Sequence, residues 1–150
     1  MATIRNFEDI EAWQKARELS KEIYAWSNCG GFARDFGLKD QIRRAAISIM
    51  SNIAEGFERD GKAEFLHFLS IAKGSVGEVE AQLYIALDQG YIRDPEFKRI
   101  KTLALSTKKL IAGFMGYLRQ CNHRGQKFKE INQKPETENQ QPTGLLHDPQ

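Results

Sequence analysis

Between Phe36 and Ile92 the chain is patterned for helix from one end to the other. With GLKDQIRRAAISIMSNIAEGFERDGKAEF at its centre, this segment places apolar residues every three or four positions and glycine where helices should end. The apolar arc is wider than one packing neighbour requires. No group of residues within it resembles a catalytic apparatus. The pattern predicts a protein that assembles and binds and is not an enzyme.

The spacing divides the chain into four helices. The first starts at Asn6, a capping residue, with Asp9 in the first turn, and carries Ala12, Ala16, Leu19, Ile23 and Trp26. Asn28-Cys29-Gly30-Gly31 ends it. The second runs from about Leu38 to Phe57, with Leu38, Ile42, Ala45, Ile49, Ile53 and Gly56 as its core stripe. Ile47, Met50, Ala54 and Phe57 widen its apolar arc to about 200°, and Arg43 falls inside that arc. Asp60-Gly61 then breaks the chain.

The third helix, Lys62 to Gln89, is the most regular. Phe65, Leu69, Ala72, Val76, Val79, Leu83 and Ala86 alternate spacings of four and three, the seam of an antiparallel pair. Gly74, Ser75 and Gly77 lie mid-helix and predict the close approach of another backbone, while Gly90 and Tyr91 fit a helix-terminating motif. The fourth helix opens at Asp94-Pro95, and its seam is Phe97, Ile100, Ala104, Thr107, Ile111, Phe114 and Leu118. The fold class predicted is all-α, an up-down-up-down antiparallel four-helix bundle over residues 1–120. Residues 121–150, rich in Asn, Gln, Lys and Pro, predict a disordered C-terminal tail.

At 150 residues with 41% hydrophobic content, the chain has enough apolar material for one packed domain. No apolar run approaches the ~20 residues of a membrane span. With no basic-then-apolar leader at the N-terminus, the expected location is cytoplasmic. Cys29 and Cys121 stand apart with no metal spacing and read as reduced thiols.

Gln41-Ile42-Arg43-Arg44-Ala45-Ala46, Ser51-Asn52-Ile53-Ala54-Glu55-Gly56 and Gly74-Ser75 followed by Glu78 occur together here. With the opening FEDIEAWQKARELSKEIY, they make residues 7–118 closely resemble the small bundle proteins encoded within intervening sequences of bacterial large-subunit ribosomal RNA genes. The accessory protein of diversity-generating retroelements is a more distant relative. The resemblance implies a four-helix bundle assembled as a homopentameric barrel. It also implies RNA or DNA binding and, through the retroelement relatives, a reverse transcriptase as partner. Met50 stands where the family usually has proline, which predicts a straighter second helix, and NCGGFARDFG replaces the usual Phe-Pro turn.

Motifs with catalytic chemistry are few. Ser70-Ile71-Ala72-Lys73 and Ser106-Thr107-Lys108-Lys109 match a Ser-x-x-Lys nucleophile pattern, but the companion motifs are missing and a regular helix offers no free donors for an oxyanion. His67, His123 and His147 are scattered, so no metal or other cofactor is expected. Arg44, Ser48, Ser51 and Glu55 share one face of the second helix, either as a solvated stripe or an Arg and Glu pairing with neighbouring helices, or as the lining of a subunit contact or pore with Arg44 available to phosphate.

The charge distribution is the stronger signal. Residues 93–119 hold seven Lys or Arg against two acidic residues, and no acidic residue occurs between Phe97 and Lys129. Lys98, Lys101, Lys108, Lys109 and Arg119 fall within about 100° of arc, opposite the apolar seam. These five and Arg44 are the candidate nucleic-acid-binding residues, acting on backbone phosphates; on a single bundle the lysine stripe reads equally as a solvated face. Arg43, Ile47, Met50, Ala54 and Phe57 are the candidate oligomer interface. The alternative is a protein-interaction scaffold or accessory subunit, for example for a reverse transcriptase.

Overall fold

A computed structural model describes residues 3–121 of the chain; the expected tail lies outside these residues. The described residues are helical, without strands: α1 (Glu11–Ser27), a short α2 (Gly30–Arg34), α3 (Phe36–Glu58), α4 (Lys62–Asp88) and α5 (Asp94–Gln120). The long helices close a ring of contacts, α1 on α3, α3 on α4, α4 on α5 and α5 on α1, with α3 and α4 the most intimate pair.

The α4 seam behaves as its spacing predicts. Phe65, Leu69, Ala72, Val76, Val79, Leu83 and Ala86 are all buried and face Ile42, Ile49 and Ile53 of α3 and Ile100, Ala104 and Ile111 of α5 within one core. Thr107 is also fully buried there, and its hydroxyl donates to the Leu103 carbonyl at 2.8 Å, so the α5 seam accepts a polar residue without an unpaired group. Gly56 brings α3 and α4 together. A Cβ built on it would stand 2.7 Å from Phe65 Cδ1 and 3.0 Å from Phe68 Cβ.

Several helix ends differ from the sequence expectation, each for a local reason. Asn6 opens a 3-10 turn, Phe7–Asp9, and not α1, which follows an extended Ile10 at ψ 120°. Asp9 ties the turn down by accepting from the backbone N–H of Arg5 at 3.0 Å and of Asn6 at 3.1 Å. These donors hold its carboxyl below the ordinary carboxylate range. Trp26 is half-buried, and the last buried position of α1 is Ser27. Asp94 is the first residue of α5, capped by Glu96 reaching back to the Arg93 N–H at 3.0 Å.

The first connection contains α2, where the paired glycines predict only a break. Its anchor is Phe32, 2% exposed, stacked on Tyr91 at 5.5 Å between ring centroids. The Tyr91 hydroxyl donates to Asp35 Oδ2 at 2.9 Å, while the other oxygen of Asp35 caps α3 by accepting from the Leu38 N–H at 3.1 Å. Gly90, at φ +75°, makes the turn that delivers Tyr91. Met50 lies inside an unbroken α3.

Candidate nucleic-acid interface

The basic residues of α5 divide into two groups. Lys101 and Lys108 both turn to Glu80 of α4, with Nζ to carboxylate distances of 3.7 Å and 2.5 Å. Glu80 keeps only 12% side-chain exposure beneath them. Lys101 also lies 5.5 Å from the centroid of the Tyr84 ring. Arg99 is drawn to Glu22 of α1. By spacing Lys101 and Lys108 belong to the basic side of α5; folded, they and Arg99 tie α5 to its two neighbours.

Lys98, Lys109 and Arg119 form the other group. Each is exposed, and none has a carboxylate within ion-pair distance among the described residues. Their positions lie within about 80° of arc and span roughly 30 Å of α5. Arg44 on α3 is likewise exposed and without an ion-pair partner among the described residues. A cation without a carboxylate neighbour keeps its full charge for a phosphate. One already paired must first give up its partner.

The polar stripe of α3 also splits. Ser48 is half-buried and accepts from Ser75 Oγ of α4 at 2.8 Å and from Asn52 Nδ2 at 3.0 Å, so it joins the two helices. Glu55 pairs at 2.8 Å with Arg59, the residue that follows the last turn of α3. Arg44 and Ser51 remain on the open surface.

Two members of the candidate oligomer interface are engaged within the chain itself. Arg43 crosses to the end of α1, where its Nε donates to Ser27 Oγ at 2.8 Å and its Nη2 to Asn28 Oδ1 at 3.1 Å. Its guanidinium lies 4.3 Å from the Tyr24 ring centroid. Phe57, 1% exposed, turns inward and meets Phe65 edge-on at 6.3 Å, so it is a core residue. Its place at the margin of the wide arc conceals this, because α4 closes over the C-terminal end of α3. Ile47 is 47% exposed, while Met50 and Ala54 are half-buried beside it.

Phe36, absent from the candidate interface, is the most exposed large apolar side chain described, at 77%. Its spacing of seven from Arg43 and eleven from Ile47 puts it on the same flank of α3 and is the signal in the sequence that could have found it. Tyr24, 37% exposed beneath Arg43, extends that flank onto α1. The mid-helix glycines also depart from expectation. Nothing lies within 4 Å of a Cβ built on Gly74 or Gly77, so among the described residues no backbone approaches them.

The Ser-x-x-Lys pairs lie on helix surface, with Ser70, Lys73 and Lys109 exposed and Ser106 half-buried. His67 is exposed, whereas His123 and His147 lie outside the described residues. Among the described residues no helix is long and apolar enough to cross a membrane.

Residues 8–113 match the family model described as 23S rRNA-intervening sequence protein. A solved structure from Bacteroides thetaiotaomicron VPI-5482, a protein of unknown function from the S23 ribosomal protein family, is similar in fold. Its TM-score is 0.63 at 24% identity, over 69% of this chain and 97% of that one. No curated protein matches the chain.

Proposed function

The chain belongs to the 23S rRNA-intervening sequence protein family, and from that premise we propose a non-enzymatic, self-assembling bundle that binds structured RNA through backbone phosphates. One observation supports this above the rest: Lys98, Lys109 and Arg119 stand along one exposed side of α5 with no carboxylate among the described residues to hold them. Neutralising phosphates with such groups gives affinity without base readout and makes it steeply dependent on salt. Specific base recognition is not part of the reading, which rests on phosphate contacts alone.

In this reading the four long helices run up-down-up-down, and copies of the bundle associate through the flank of α3. Phe36, Ile47 and Tyr24 leave apolar surface there that a second copy would cover. A ring of copies, a pentamer by resemblance to the family, would repeat the basic side of α5 once per subunit. Repetition would convert a weak stripe into a strong binding surface. Light scattering at micromolar concentration tests the assembly: an oligomer supports it and a monomer contradicts it.

The same exposed flank of α3 supports a second reading, an interaction scaffold that seats a partner protein such as a reverse transcriptase. A pull-down with and without nuclease separates the two. Loss of the bound material on nuclease treatment favours RNA, and retention of a protein partner favours the scaffold.

A further inference from the structure

A cavity of about 460 Å³ opens between the N-terminal turn and the last turns of α5. Ile4, Ile10, Ala12, Leu110, Phe114 and Tyr117 make it largely apolar, and Asp9, Glu11 and Lys109 stand among them. Its size suits one large apolar side chain and its neighbours. Burial pushes the Tyr117 hydroxyl up from its ordinary pKa, with the nearby Cys121 adding to the effect, in keeping with a poorly solvated wall.

We propose that the segment Gly125–Ile131 of the same chain docks here, with Phe128 in the cavity. The chain leaves α5 next to the site. Cys121 comes one turn after Tyr117, and Lys62 Nζ fixes the end of the helix by donating to the Cys121 carbonyl at 2.6 Å. Phe128 follows Cys121 by seven residues, a reach of up to about 23 Å, whereas the groove from Lys109 to Tyr117 extends only about 12 Å along α5. Gly125 lies between them and permits the chain to reverse.

Composition points to the same residues. Between 122 and 144 the large apolar residues are Phe128 and Ile131 alone. Lys127 and Lys129 flank Phe128, and in extended chain they fall on one side, suited to Asp9 and Glu11 at the mouth. The rest of the segment beyond 121 keeps a composition that cannot form a core of its own. Docking would therefore be local and would use a groove that α1 and α5 already supply.

The test replaces Phe128 with p-benzoylphenylalanine in the full chain and maps photo-crosslinks in an equal mixture of isotopically light and heavy protein. Crosslinks within one chain, to residues 4–12 and 109–117, are expected. Lys127→Glu with Lys129→Glu should lower their yield at least about threefold, the value of two weak ion pairs. Within-chain crosslinks without enrichment at the groove, crosslinks only between chains, or a yield indifferent to the two charge changes would each overturn the proposal. Amide exchange gives a second readout. Residues 3–12 should exchange faster in Phe128→Ala than in the unaltered chain, and equal rates would contradict the docking.

Discussion

Lys108 on α5 is held by Glu80 on α4 at 2.5 Å, over a carboxylate with only 12% side-chain exposure. Lys101 shares the same carboxylate from 3.7 Å. The two lysines therefore serve the joint between α4 and α5. Glu80→Gln should destabilise the fold by about 0.5–2 kcal/mol, since it loosens both contacts at once and both lysines stay partly solvated. Urea denaturation would read this as a lower midpoint at unchanged slope.

Gly56 faces the opposite constraint. A methyl group added there would meet Phe65 Cδ1 at 2.7 Å and Phe68 Cβ at 3.0 Å, so Gly56→Ala forces α3 and α4 apart. A loss of about 1–3 kcal/mol is expected, as for other overpacked cores, measurable by the same denaturation. Gly74→Ala should do the reverse and stabilise the isolated chain by roughly 0.5–1 kcal/mol, because open space surrounds it. If Gly74→Ala also weakens self-association, a second copy comes close to α4 at that point.

Arg43 should prove a structural residue. It donates to Ser27 Oγ, which is fully buried, and to Asn28 at the end of α1. Arg43→Ala removes these bonds and is expected to cost about 1–3 kcal/mol. Arg43→Lys should recover only part of this, since an ammonium cannot reproduce the planar donor set or its seat over Tyr24. Thermal denaturation of the two variants would rank them.

Tyr91 gives a pH signature. Its hydrogen bond to Asp35, with burial and the Asp35 charge adding to it, raises the phenol pKa above the ordinary value of 10.0. The folded state thus holds the proton more tightly than the unfolded chain. The stabilisation is complete below about pH 10 and is lost as pH rises through the raised folded value. Tyr91→Phe should flatten this alkaline loss of stability and remove one alkaline-shifted tyrosine from an ultraviolet titration. An unchanged titration would mean that the Asp35 contact is absent in solution.

Much of the fold is legible in the sequence because the α4 and α5 seams keep strict spacing over seven apolar or near-apolar positions each, and nothing local competes with helix. The helix ends are harder. Asn6 opens a 3-10 turn in place of α1, a choice decided by the backbone amides that Asp9 can reach. The candidate site is only half legible. Helical spacing puts Lys98, Lys101, Lys108, Lys109 and Arg119 on one side, but it cannot reveal that Glu80 comes to meet two of them. Such pairings depend on which helix lies alongside, and a single helical projection holds no information about the neighbour.

The most direct measurement is the affinity of a fluorescently labelled structured RNA, followed by anisotropy across a salt series. Unaltered protein should bind with an affinity that falls steeply as salt rises. Lys98→Glu, Lys109→Glu and Arg119→Glu together should lower it at least about tenfold, about 1.4 kcal/mol, and flatten the salt dependence. Lys101→Gln with Lys108→Gln should lower it less than about threefold, because Glu80 already holds those charges. Binding that ignores salt, or survives the triple charge reversal undiminished, would contradict a phosphate-binding role for this side of α5.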